Sequence, residues 1–167
     1  MQTDPTEADL RVALEKALAD LCANHAHLFS VDANERSLTH WLAAILARLL
    51  PGADVDCEYN RSGNLPKRLL PSCALGVKAD DTDAQSVYPD VIVHRRGTDL
   101  NFLAIEAKKS TRARAVLEDI DKLKGYTEPV SVGGLGYRFG ALVVFETKRS
   151  PPEARLHEWL AEQHCQA

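Results

Sequence analysis

Apolar residues recur at helical spacing from Pro5 to Leu21, where Leu10, Leu14, Ala17, Leu18 and Leu21 mark one face of an amphipathic helix. A second stripe, Leu38, Leu42, Ile45 and Leu49, predicts a helix from about Asn34 to Leu50 that Pro51 and Gly52 terminate. The period then changes. "ADVDCEY" reads as a strand, and "YPDVIVHRRGTDLNFLAIEAKKS" alternates in two runs around a polar turn, which predicts a β-hairpin from about Ser86 to Lys109. The stretch between them, Asn60 to Ser86, has proline and glycine early and "ADDTDAQS" late, so it is expected to be a long excursion outside the core. Beyond the hairpin, Val116, Ile120 and Leu123 predict a helix from about Thr111 to Thr127. The glycine-rich "SVGGLGYRFG" leads into "ALVVFE", expected to be a strand buried on both faces. "SPPEARLHEWLAEQ" predicts a closing helix, with Pro151 and Pro152 in its first turn and Leu156, Trp159 and Leu160 inward. After the first helix the order is α, β, β-hairpin, α, β, α, an α/β fold of the α+β kind with a mixed sheet.

Composition adds bounds. A chain of 167 residues that is 45% hydrophobic suffices for one domain, expected to span residues 1–167. The net charge of −4 argues against a general nucleic-acid coat protein, which carries a basic excess, but leaves room for a local basic patch. Cys22, Cys57, Cys73 and Cys165 show no paired short spacing, so free thiols in a reducing compartment are expected. "MQTDPTEADL" lacks a signal-peptide pattern, and the longest apolar run, "WLAAILARLL", is short and broken by Arg48. A soluble, cytoplasmic protein with no membrane partner is the expectation.

The hairpin carries the chemistry. Along its second strand Phe102, Ala104, Glu106 and Lys108 share one face, while Leu103, Ile105 and Ala107 share the other. A turn between Gly97 and Leu100 sets Asp90 opposite the region of Ala107, within about one residue of Glu106 and Lys108. Two neighbouring carboxylates repel unless an oxygen-seeking divalent cation lies between them, and Mg²⁺ fits. Such an ion polarises a phosphodiester and acidifies a bound water, and a lysine alongside orients that water and offsets charge growing on phosphorus. Asp90, Glu106 and Lys108 are therefore a candidate catalytic set for phosphodiester hydrolysis.

"PD" at Pro89 and Asp90, followed by "EAK" at Glu106 to Lys108, resembles the PD-(D/E)XK nuclease superfamily, and the element order from Asn34 to Gln163 is similar to its restriction-endonuclease-like αβββαβα core, here with an extra N-terminal helix. The resemblance implies a Mg²⁺-dependent nuclease, with Mn²⁺ as a substitute ion, acting on DNA or RNA, and a homodimer as a possible assembly. It implies that Asp90 and Glu106 bind the metal, that the carbonyl of Ala107 adds a ligand and that Lys108 assists the attacking water. It also implies a further acid from the helix before the first strand, and Glu35 in "DANERSLTHWL" is the matching position, extending the stripe of Leu38 and Leu42. A capping box with Asp32 as N-cap is the other reading of Glu35. The RecB-type members carry Gln-x-x-x-Tyr in the helix after "EAK"; this chain has Lys122 in place of the Gln and keeps Tyr126, which reads as a substrate-binding residue or equally as a packed aromatic.

Basic residues for a phosphate-binding strip are Arg61, Lys67 and Arg68 in the excursion, Arg95 and Arg96 at the hairpin turn, and Lys109, Arg112 and Arg114 after it. Glu58, in "EYNR", is either a metal-proximal acid or an ordinary exposed strand residue. "GGLG" at Gly133 to Gly136 lacks the Lys-Ser/Thr of a phosphate loop and is expected to be a turn, and the six histidines share no ligand spacing. Two other functional classes fit the same residues. One is a non-catalytic nucleic-acid-binding or protein-interaction module on the same fold; the other is a surface salt-bridge cluster.

Overall fold

Thr6 begins the ordered architecture because its hydroxyl accepts from the Asp9 amide at 3.2 Å while the Asp9 carboxylate accepts from the Thr6 amide at 2.9 Å. This capping box opens α1 (Glu7–Asn24) in a computed structural model that describes residues 3–59, 61–62, 65–66, 68–69, 85–86, 88–109 and 113–145. Leu10, Ala13, Ala17 and Leu21 are its buried face, with Leu14 and Leu18 partly buried beside them. A single-turn helix, α2 (Ala26–Ser30), follows; it is too short to leave a periodic signal. Then α3 (Glu35–Leu49) starts at Asn34, whose side chain accepts from the Ser37 amide at 2.8 Å. Leu38, Leu42, Ile45 and Leu46 are buried. Leu49, predicted on that stripe, is 39% exposed: it sits in the last turn, in an open groove against Asp9, Val12 and Lys16 of α1.

Four strands form one mixed sheet in the order β1 (Asp54–Cys57), β2 (Val91–His94), β3 (Asn101–Lys108), β4 (Phe139–Val144). β1 and β2 are antiparallel, with Cys57 opposite Val91. β2 and β3 form the predicted hairpin, with Val91 opposite Ile105, closed by a loop in which the Arg95 amide donates to Leu100 O at 2.9 Å. β3 and β4 run parallel, which requires the crossover that α4 (Ala113–Thr127) supplies. On one sheet face Val91, Val93, Leu103, Ile105 and Ala107 meet the buried residues of α1 and α3. On the other, Ile92 and Ala104 meet Leu123 and Tyr126 of α4, with Leu135 and Tyr137. The sheet is thus a layer between helices, and the side chains of α4 reach only the second face.

β4 departs from expectation. Within Phe139–Val144 only Val143 is fully buried. Among the described residues it is the edge strand of the four, flanked by β3 alone. Before it, Val130–Val132 forms a 3₁₀ turn and Gly133 has φ +96°, so the "GGLG" segment is a turn as expected. Gly134 is there for space: a Cβ would come within 2.1 Å of Glu128 O. Gly134→Ala is expected to lower stability by roughly 1–3 kcal/mol, read as a reduced urea midpoint; an unchanged midpoint would refute the contact.

Of the long excursion, two short antiparallel ribbons are described, Arg61–Ser62 with Leu65–Pro66 and Arg68–Leu69 with Gln85–Ser86. The expected closing helix lies outside the described residues. Among the described residues no helix is long and apolar enough to cross a membrane.

Candidate active site

The hairpin register places the acid pair. With Val91 opposite Ile105, Asp90 lies opposite Glu106, and residues directly opposite in antiparallel strands share a face. Asp90 Oδ2 accepts from the Ala107 amide at 2.7 Å, and Asp90 O accepts from the Glu58 amide at 3.2 Å. Lys108 O accepts from the Phe145 amide on the β4 side, so the pleat turns the N–H and C=O of Ala107 the other way, toward Asp90. Asp90, Glu106 and the Ala107 carbonyl therefore converge on one end of the hairpin.

α4 closes over this end with three side chains spaced for one face, Asp119, Lys122 and Tyr126. The Tyr126 hydroxyl donates to Glu106 Oε1 at 3.1 Å, and Lys122 Nζ reaches Glu106 Oε2 at 3.3 Å. Lys122 also donates to Asp119 Oδ1 at 2.7 Å, while Lys108 Nζ lies 3.1 Å from Asp119 Oδ2. Glu106 is 2% exposed and Asp119 1%. Lys122 and Tyr126, set four apart in the sequence, thus both reach the acid predicted to be catalytic. Asp119 was missed as a site residue: "LEDIDKLK" offers three acids in four positions, and the signal that singles it out is its spacing of three from Val116 and four from Leu123 on the buried face.

Glu35 does not form the capping box with Asp32. Asn34 is the N-cap in place of Asp32, because Asp32 has φ +54° and stands two residues too early to meet the helix amides. Glu35 Oε2 instead accepts from the Lys109 amide, at 2.9 Å, where β3 ends. It is near enough for its charge to help raise the Asp90 carboxyl. Lys109, expected in the phosphate strip, turns back onto the loop before α3: its ammonium pairs with Asp32 Oδ1 at 2.7 Å and donates to the carbonyls of Asp32 and Ala33.

The other expected basic residues divide. Arg95 and Arg96 sit at the closed end of the hairpin, away from Asp90 and Glu106, and pair with acids there: Arg95 with Asp4 at 3.2 Å, Arg96 with Asp54 and Asp56. Arg114 is exposed and pairs with Glu118 at 3.0 Å. Lys67 and Arg112, and the side chains of Arg61 and Arg68, lie outside the described residues. Glu58 follows the end of β1, is exposed and bonds Arg36 at 2.9 Å, the ordinary surface alternative. Cys22 and Cys57 are free thiols; Cys73 and Cys165 lie outside the described residues.

The electrostatics favour added positive charge. When all are ionised, three carboxylates (Asp90, Glu106, Asp119) face two ammonium groups (Lys108, Lys122), an excess of one negative charge before the Glu35 charge, which also acts on Asp90, is added. Burial, and then the Asp90 and Asp119 charges, push the Glu106 carboxyl up to about 7 against the opposing Lys122 charge. Burial likewise raises Asp90, against the Ala107 amide that lowers it. For Lys122 burial acts downward, yet the hydrogen bond to Asp119 and the Glu106 charge carry it upward. Among the described residues no three His, Cys, Asp or Glu side chains form a ready-made metal cage. Mg²⁺ does not need one, since it binds through one or two carboxylates and keeps several waters. The oxygen-only donors of Asp90 and Glu106, with an excess negative charge beside them, fit that ion.

No family model, curated protein or solved structure matches the chain.

Proposed function

We propose that the chain is a Mg²⁺-dependent nuclease that hydrolyses phosphodiester bonds of DNA, built on a restriction-endonuclease-like αβββαβα core of the PD-(D/E)XK type. One observation carries the reading: Asp90 and Glu106 stand opposite each other at the open end of the hairpin, with Lys108 on the Glu106 face. In this reading Asp90, Glu106 and the Ala107 carbonyl hold the ion, and Glu35 braces the end of β3 through the Lys109 amide. When bound, the ion polarises the phosphodiester and acidifies a water. Lys108 donates to the attacking water and balances the charge that grows on phosphorus. Tyr126 and Lys122 keep the Glu106 carboxylate oriented through its two oxygens. Phosphate binding by Arg61 and Arg112 rests on residue type alone.

Glu106 is nearly inaccessible and engaged at both oxygens, which favours a second reading, a non-catalytic nucleic-acid-binding or protein-interaction module with a buried ion cluster. The purified chain, incubated with plasmid DNA, single-stranded DNA and RNA in Mg²⁺, Mn²⁺ or chelator, separates the two. Metal-dependent cleavage is expected. Binding to DNA without cleavage under every condition supports the module, and size-exclusion chromatography with DNA present tests for a homodimer.

A further inference from the structure

The apolar face of α4 is interrupted in an unusual way. Val116, Leu123 and Tyr126 are buried, as a helix against a sheet requires, yet Asp119 in the middle of that face is more buried than Leu123. A carboxylate there costs several kcal/mol of desolvation unless partners offset it. Its partners are two lysines from different elements: Lys122 of α4 at Oδ1, 2.7 Å, and Lys108 of β3 at Oδ2, 3.1 Å. The two contacts differ in kind. Oδ1 accepts a formed hydrogen bond, whereas among the described residues Oδ2 accepts no well-directed one, although the Lys108 ammonium is beside it. Lys108 is thus held there by charge at 3.1 Å, and its side chain keeps about a quarter of its surface open.

Removing Asp119 would leave Lys108 and Lys122 as adjacent like charges at the end of the sheet, free to seek Glu106 or solvent. From this arrangement we infer that Asp119 is a positioning residue: it holds the Lys108 ammonium at the Asp90 and Glu106 end of the hairpin. The inference rests on the nuclease reading for its catalytic consequence, but the placement of the ammonium is independent of it. Asp119 acts through Lys108, so its effect disappears when Lys108 is absent.

The test is Asp119→Asn, alone and combined with Lys108→Ala. Asp119→Asn is expected to lower kcat on DNA by about 10-fold to 100-fold with KM little changed. In the Lys108→Ala background it is expected to add no further loss, the non-additivity of groups acting as a unit. In metal-free protein the ¹⁵Nζ resonances of Lys108 and Lys122 are expected to shift together on Asp119→Asn, with the circular dichroism spectrum retained. Should Asp119→Asn fail to fold, Lys108→Met serves in its place, and the Lys122 resonance is expected to move because both lysines share one carboxylate. Wild-type cleavage by Asp119→Asn, a multiplied loss in the double variant, or an unmoved Lys108 resonance in Asp119→Asn, or an unmoved Lys122 resonance in Lys108→Met, would overturn the inference. If the wild type is inert the nuclease reading falls, and the lysine resonances alone decide whether Asp119 places the ammonium.

Discussion

Lys108→Ala is expected to reduce DNA cleavage by about 10²-fold or more while Mg²⁺ affinity is kept or raised. The variant removes the cation that orients water and balances developing charge, yet it leaves Asp90 and Glu106 intact at the end of the hairpin. It also deletes a positive charge from a site that already carries at least one negative charge in excess, so a divalent cation is held no less tightly. Asp90→Ala separates the roles, because it is expected to lose both metal binding and cleavage. Its carboxylate also accepts from the Ala107 amide, so Asp90→Asn is the companion variant that retains an acceptor there. A buried ion cluster without catalysis predicts another order. There, Lys108→Ala would leave Asp119 with Lys122 as its sole cation, lower the unfolding midpoint and change no activity. Plasmid nicking measured beside calorimetric Mg²⁺ titration distinguishes these outcomes, and undiminished cleavage by Lys108→Ala would remove this residue from the catalytic set.

The hairpin was legible in the sequence because three independent signals agreed. Two alternating apolar runs, a turn containing Gly97 and a fixed period of two set Asp90 opposite the region of Ala107; the structure pairs it one residue away, opposite Glu106, after a register shift between Val93 and His94 that no local signal announced. Long-range packing was not legible. Helical spacing sets Asp119 on the stripe of Val116 and Leu123, unlike Glu118 and Asp121, but a charged residue on that stripe did not by itself reveal the two lysines that pair with it. The cap of α3 failed for a related reason: Asp32 and Asn34 are both good N-caps, and the choice depends on where the chain leaves α2. The expectation for β4 failed because a run of apolar residues does not say whether the strand is central or at an edge. Glu35 was placed near the site by the family resemblance, supported by its spacing on the α3 stripe, but its partner, the Lys109 amide, lies 74 residues further along the chain.

The metal-free protein is expected to lose stability as pH rises through neutrality, and Glu106→Gln is expected to abolish most of that loss. Facing Glu106 are Asp90 from beside β2, Lys108 on its own strand, and Asp119, Lys122 and Tyr126 from α4. Burial and the two acids outweigh the lysine, raising the carboxyl from 4.5 to about 7. A carboxyl that is a weaker acid in the folded state binds a proton more tightly there, so protonation favours folding. The contribution is fully present below about pH 4.5, where Glu106 is protonated in both states, and is lost as pH rises through about 7. That difference corresponds to roughly 3 kcal/mol, and Asp90, raised by burial, adds a change of the same sign. Gln has the shape of the protonated acid and accepts from Tyr126 equally well, so the variant is expected to match wild type near pH 4 and exceed it by up to about 3 kcal/mol near pH 8. Mg²⁺ added near pH 8 is expected to restore wild-type stability and do little for the variant, since only the ionised carboxylate gains from the cation. Urea unfolding in chelator and in Mg²⁺ across this pH range makes the measurement. A wild-type stability that stays flat from about pH 5 to about 8, with no gain from Glu106→Gln, would show that this carboxylate is ionised at no cost and that the acid pair does not call for a metal.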